Sequence, residues 1–230
     1  MGNNRDILCD SSSFISLTES CLDRIYYFLH EKYGVRFIIP TGVEEEMINT
    51  PLSSRRKTHA LSALKIKKMI NDGVITKIET DKTVEEQTRK VLHTTNNLFF
   101  VRGKPLTLVH YGEAEMIALA SYLDIPGILI DERTTRLLIE APFTVKNHFE
   151  KEFNVHVMMN KKNLTEFSDM TSKMYAIRSS ELVILAYEHG YFDDFGKIKR
   201  DIIEAALRKT KFSGCSIRFD EIDEYLSSLK

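Results

Sequence analysis

Three carboxylates stand directly behind short apolar runs. Asp10 closes Ile7-Leu8-Cys9, Glu46 follows Val35–Ile39 in the spacing Pro40-x-x-Val43-x-x-Glu46, and Asp131 closes Gly127–Ile130. If these runs are parallel strands, all three acids lie on one rim of a sheet, the rim at which open parallel sheets bind ligands. Converging carboxylates repel one another unless a cation joins them, and hard oxygen donors with open positions suit Mg²⁺ or Mn²⁺. Such ions lower the pKa of a bound water and stabilise in-line displacement at phosphorus, so the chemistry expected is metal-assisted phosphoester hydrolysis. Each acid also has a plainer reading. An Asp after a strand can cap the next turn or helix. Glu44, Glu45 and Glu46 open a helix, where acids complement the macrodipole. The residues alone leave both readings open.

A fourth acid comes from the helix expected at 112–123. After Glu115 the segment Met116–Ala120 is apolar nearly all round, so the helix is expected to be buried. A lone buried carboxylate is expensive unless it is paired or bound to metal. Glu113 sits at the helix start, where the dipole accounts for it. Glu115 lies about 200° further round, so the two side chains diverge. On this reading Glu115 faces the acidic rim and Glu113 is secondary.

The elements that must position these acids alternate. Strands are expected at 7–9, 35–39, 74–78 and 127–130, with helices at 18–33, 55–72, 82–98, 112–123 and 132–140. Ser11–Ser13 reads as a turn, Arg102–Pro105 as another, and Phe153–Val157 as a further edge strand. Phe99-Phe100 and Tyr26-Tyr27-Phe28, at helical spacing, read as core rather than as base-stacking platforms. Short continuous apolar strands alternating with helices predict an α/β fold, a parallel sheet covered on both faces. Residues 160–172 read as a loop or weak helix. Helices at 178–189, 197–210 and 219–229 complete a division into an α/β domain at 1–158 and a helical extension at 159–230. That extension packs partly back on the domain, or offers its apolar faces to a second copy in a homodimer.

The 230 residues carry 32 Lys and Arg against 33 Asp and Glu, a net charge of −1, so no whole-chain basic field exists to hold an anionic partner. A local patch must do so, and Arg55, Arg56 and Lys57 begin a run (Lys65, Lys67, Lys68 follow) with no acid before Asn71. This run is either a phosphate path or a solvated helix face. The set Lys197–Lys211 is interleaved with Asp201 and Glu204 and reads as a salt-laced surface helix. No apolar run approaches a membrane span. The N-terminal residues show neither a signal-peptide layout nor a myristoylation motif. Cys9, Cys21 and Cys215 are odd in number and lack CxxC spacing, which predicts a reduced, cytoplasmic protein. Seven scattered histidines offer no zinc or Ser-His-Asp pattern.

Four segments in order resemble the motifs of PIN-domain nucleases. They are Asp10-Ser-Ser12, Pro40-x-x-Val43-x-x-Glu46, Gly112-Glu-Ala-Glu115-Met-Ile-Ala-Leu-Ala120 (similar to the GEAEAIALA helix of archaeal and bacterial members) and Ile128-Leu-Ile-Asp131-Glu-Arg-Thr-Thr-Arg136. Ser179–Gly190 resembles the helix that closes the domain. The resemblance implies a three-layer α/β/α sandwich and a Mg²⁺- or Mn²⁺-dependent endoribonuclease acting on single-stranded or structured RNA. Asp10, Glu46, Glu115 and Asp131 match the family's acidic quartet, Ser12 its small hydroxyl residue, and Arg136 its arginine after the last acid. Glu113 and Ser179 are secondary candidates. The chain departs from the family in having Glu as third acid, in the long stretch 137–177 and in its size, larger than toxin nucleases of toxin–antitoxin pairs. An antitoxin-like partner is therefore a weaker implication than the RNA substrate. The rival readings are a non-catalytic RNA-binding scaffold of the same fold and a metal-dependent phosphatase.

Overall fold

The computed structural model describes residues 5–55 and 57–229. The N-terminal readings on residues 1–4 and the candidate phosphate contact Arg56 lie outside the described residues. Five parallel strands form the central sheet: β1 (Asp6–Cys9), β2 (Arg36–Pro40), β3 (Ile75–Ile78), β6 (Gly127–Leu129) and β8 (Tyr175–Ile177), in the order β3-β2-β1-β6-β8. Successive side chains leave opposite faces of a strand, and the two cores follow that alternation. Cys9, Phe37, Ile39 and Leu129 enter one core, while Leu8, Ile38, Ile128 and Ile130 enter the other.

The first core is covered by α1 (Ser11–Glu19), α2 (Arg24–Tyr33), α5 (Ala60–Asn71), α11 (Ser179–Glu188), α12 (Lys199–Phe212) and α13 (Phe219–Ser228). The second is covered by α6 (Lys82–Thr95), α7 (Tyr111–Leu123), α8 (Arg133–Glu140), α9 (Pro142–Phe153) and α10 (Lys161–Thr171). The result is a three-layer α/β/α sandwich. Between β2 and α5 the chain forms α3 (Thr41–Glu44), a π-helical stretch over Glu45–Asn49, and α4 (Thr50–Ser53). Among the described residues no helix is long and apolar enough to cross a membrane.

Several local expectations are corrected. Ser11–Ser13 is the first turn of α1, because the Asp10 carboxylate accepts from the Ser12 N–H and starts the helix there. The single helix expected at 18–33 is two, α1 and α2, separated by Cys21 at φ 58°. Phe99-Phe100 is in a strand: β4 (Phe99–Val101) pairs antiparallel with β5 (Lys104–Pro105) and β7 (Val157–Met159) in a separate small sheet. Of the edge strand expected at 153–157 only Val157 is in a strand, since Phe153 ends α9 and Asn154 turns at φ 48°; β7 joins this second sheet. The central sheet's edge is β8, from within the stretch expected to be helical. Residues 161–171 are a helix, held at its start by the Asn160 side chain accepting from the Lys162 and Asn163 N–H groups.

Candidate functional site

The strand order reverses direction at β1, so the crevice beyond the carboxyl ends of β1 and β6 is a topological switch point. Asp10 and Asp131 follow those two strands. Asp10 caps α1 from an extended backbone, and its Oδ2 accepts the Ser12 hydroxyl at 2.5 Å and the Ser12 N–H at 3.3 Å. Burial pushes the Asp10 carboxyl up to about 6, against the two Ser12 hydrogen bonds, with Glu113 and then Glu46 adding repulsion. Glu46 is exposed on the π-helical stretch after β2. Glu113 and Glu46 thus both lie within electrostatic reach of Asp10.

Glu113 occupies the first turn of α7. One of its oxygens accepts the His110 N–H and the other the Thr135 hydroxyl, both at 2.7 Å. Burial raises the Glu113 pKa, and the nearby Glu132 carboxylate raises it further. Glu132 caps α8 by accepting the Thr135 N–H at 2.6 Å. Thr135, fully buried, therefore links the two acids.

Glu115 stands apart. Its Oε1 accepts the Thr80 hydroxyl at 3.1 Å, and burial followed by the Glu85 charge raises its pKa. Its Oε2 is buried with no hydrogen-bond partner and lies against Gly42, where a Cβ would come within 2.8 Å of it. The divergence of Glu113 and Glu115 holds, and the two face different parts of the rim. Glu113 is the acid that perturbs Asp10, and Glu115 points to α3 and the segment after β3.

Asp131 is also engaged elsewhere. It is 1% exposed; its Oδ1 accepts the Ser179 N–H at 2.7 Å and its Oδ2 accepts the Ser179 hydroxyl. The start of α11 thus holds both Asp131 oxygens. The Asp131 N–H points to the Ser12 hydroxyl at 3.4 Å, so Ser12 bridges the segments carrying Asp10 and Asp131. Among the described residues, no group of three or more His, Cys, Asp and Glu side chains is arranged to hold a metal ion.

The candidate substrate contacts separate as well. Arg136 is mostly buried and paired with Glu140 at 3.0 Å, which commits it to its own helix. Arg55 and Lys57 are exposed in the segment before α5. Further along, Lys65 pairs with Asp23 and Lys68 with Asp72. In α12, Arg208 bridges Glu204 and Asp223, and Lys199 is paired with Asp193. Glu132 and Thr135 were not among the expected site residues. The acid next to Asp131 and the Thr one turn into α8 were the available signals.

A scan of family models finds no match to the chain, and no curated protein and no solved structure matches it. The class defined by the geometry is therefore a three-layer α/β/α sandwich, with Asp10 and Asp131 behind the two strands at its switch point.

Proposed function

We propose that the protein is a divalent-metal-dependent endoribonuclease whose site is centred on Asp10 and Glu113, with Glu46 and Glu132 at its margin. The observation that carries this reading is the Asp10 carboxyl itself. It lies buried at the switch-point crevice, raised to about 6, with Glu113 and Glu46 close enough to repel it. Such a charge set is costly to hold unless a cation compensates it. The donors are all hard oxygens, which fits Mg²⁺ or Mn²⁺. Bound there, the ion would supply a nucleophilic water and charge stabilisation at phosphorus. The chain's own part is orientation: Ser12 fixes one Asp10 oxygen, and His110 and Thr135 fix the two oxygens of Glu113. RNA as the substrate rests on the resemblance of the four motifs.

The second reading is a non-catalytic RNA-binding protein of this fold. It is favoured by the engagement of both Asp131 oxygens by Ser179 and by the lack of a three-donor metal group among the described residues. Cleavage of end-labelled single-stranded RNA with Mn²⁺, Mg²⁺ or EDTA separates the two. Metal-dependent cutting should disappear in Asp10→Asn and Glu113→Gln and survive in Glu115→Gln. A fully active Asp10→Asn protein refutes the nuclease reading, and tight salt-sensitive RNA binding without cutting supports the scaffold.

A further inference from the structure

Away from the acids, the stretch 137–177 that lengthens this chain builds a second feature. The β4–β5 hairpin and α9 enclose an apolar cleft of about 280 Å³ lined by Val101, Leu106, Leu108, Phe149, Phe153 and Val155. Phe153 is 59% exposed at its mouth, with its ring 6.0 Å from that of Phe149. A second hollow adjoins it through Val155, bounded by Arg102, His156 and the half-exposed Met158. Grouped exposed large apolar side chains of this kind mark interaction sites on protein surfaces.

The free charge on the hairpin side of the cleft is positive. Arg102 bounds the adjoining hollow and Lys104 lies opposite Val101 across the β4–β5 pair; both are exposed, and neither makes an ion pair among the described residues. Of the neighbouring acids, Glu150 accepts the Val157 N–H at 2.9 Å and pairs with Lys146, and Glu152 lies 2.7 Å from His148. The small sheet does not invite strand addition. Glu150 takes an outward N–H of β7, and Pro105 has no N–H to offer on β5. A partner must therefore engage through side chains. An apolar floor suits bulky hydrocarbon groups rather than phosphates, and the cationic rim selects acidic neighbours.

We propose that this cleft docks an acidic segment of another protein, which inserts one or more large apolar side chains between Phe153 and Leu106 and sets its carboxylates against Arg102 and Lys104. The proposal is independent of the nuclease reading. The test uses the full chain with labelled Ile, Leu and Val methyl groups, titrated with two peptides of identical Leu and Phe spacing, one built with Glu and one with Lys. Saturable shifts at Leu106, Leu108 and Val155 are expected with the Glu peptide and should weaken as salt is raised. Affinity should fall about tenfold or more, a change of about 1.4 kcal/mol, in Phe153→Ser and in Arg102→Glu. Both positions are exposed, so both variants should fold. Equal binding of the Lys peptide overturns the proposal, as does the same set of shifts produced by an oligouridine RNA. A wild-type dimer in sedimentation that Phe153→Ser converts to monomer also overturns it, since the occupant is then a second copy.

Discussion

Replacing Asp10 by Asn should make the protein more stable at neutral pH. The Asp10 carboxyl moves from 3.8 to about 6 on folding, first through burial and then through Glu113 and Glu46. A proton bound more tightly in the folded chain stabilises it wherever that proton is present. The contribution is complete below pH 3.8 and is lost as the pH rises through about 6. At neutral pH the folded chain therefore carries an ionised carboxylate at a cost of about 3 kcal/mol, from about 1.4 kcal/mol per pKa unit. Asn keeps an oxygen for the Ser12 hydrogen bonds and is an equally good helix cap, while removing the charge. Asp10→Asn should gain about 1–3 kcal/mol near neutral pH, each kcal/mol being worth about 2–4 °C in Tm for a chain of this size. Far-UV circular dichroism is the suitable probe, since the chain has no Trp. Mn²⁺ should raise the wild-type Tm and leave the variant unchanged, because a ligand of the folded state stabilises only where it binds. Destabilisation by Asp10→Asn at neutral pH, or an equal gain on both sides of the 3.8–6 window, would refute the reasoning.

Gly42→Ala should cost no more than about 1 kcal/mol in urea titrations, because the atom its Cβ would meet at 2.8 Å, Glu115 Oε2, ends a flexible side chain that can turn aside. In a Glu115→Ala background the same change should become favourable, as Ala exceeds Gly by about 1 kcal/mol in a helix. Ser179→Ala removes the hydroxyl that donates to buried Asp131 and should destabilise by about 1–3 kcal/mol in the same assay. Arg178→Met breaks the pairs with Glu181 and Glu221, of which the second ties α11 to α13. Its effect should be local: amide exchange should quicken across Phe219–Ser228 well before it does in α6.

The central strands were legible because they are buried on both faces, which leaves continuous apolar runs such as Ile7-Leu8-Cys9 and Phe37-Ile38-Ile39. Strand β8 was not, because Tyr175-Ala-Ile177 is short, lies at the sheet edge and is only partly buried. The division at 158 was drawn without it. The cap reading of Asp10 holds and does not exclude a site there. Asp10 caps α1 and at the same time faces Glu113, since a helix that follows a strand begins on the rim where the acids collect.

What local spacing could not supply was the direction of each acid, and the reason is the same in three cases. Helical period fixes the angle between Glu113 and Glu115 but not which of them faces the crevice. That is decided by Thr135, 22 residues after Glu113, and by Thr80, 35 residues before Glu115. Asp131 is turned by Ser179, 48 residues further on. Each donor is a small polar residue whose type carries no strong signal by itself, and each arrives through a different layer of the fold. A buried carboxylate must find a donor or a cation. Ser179 provides donors for both Asp131 oxygens and Thr80 for one Glu115 oxygen, while the carboxylates that repel Asp10 are Glu113 and Glu46. It is there, rather than at the full quartet of motif acids, that a cation would gain most.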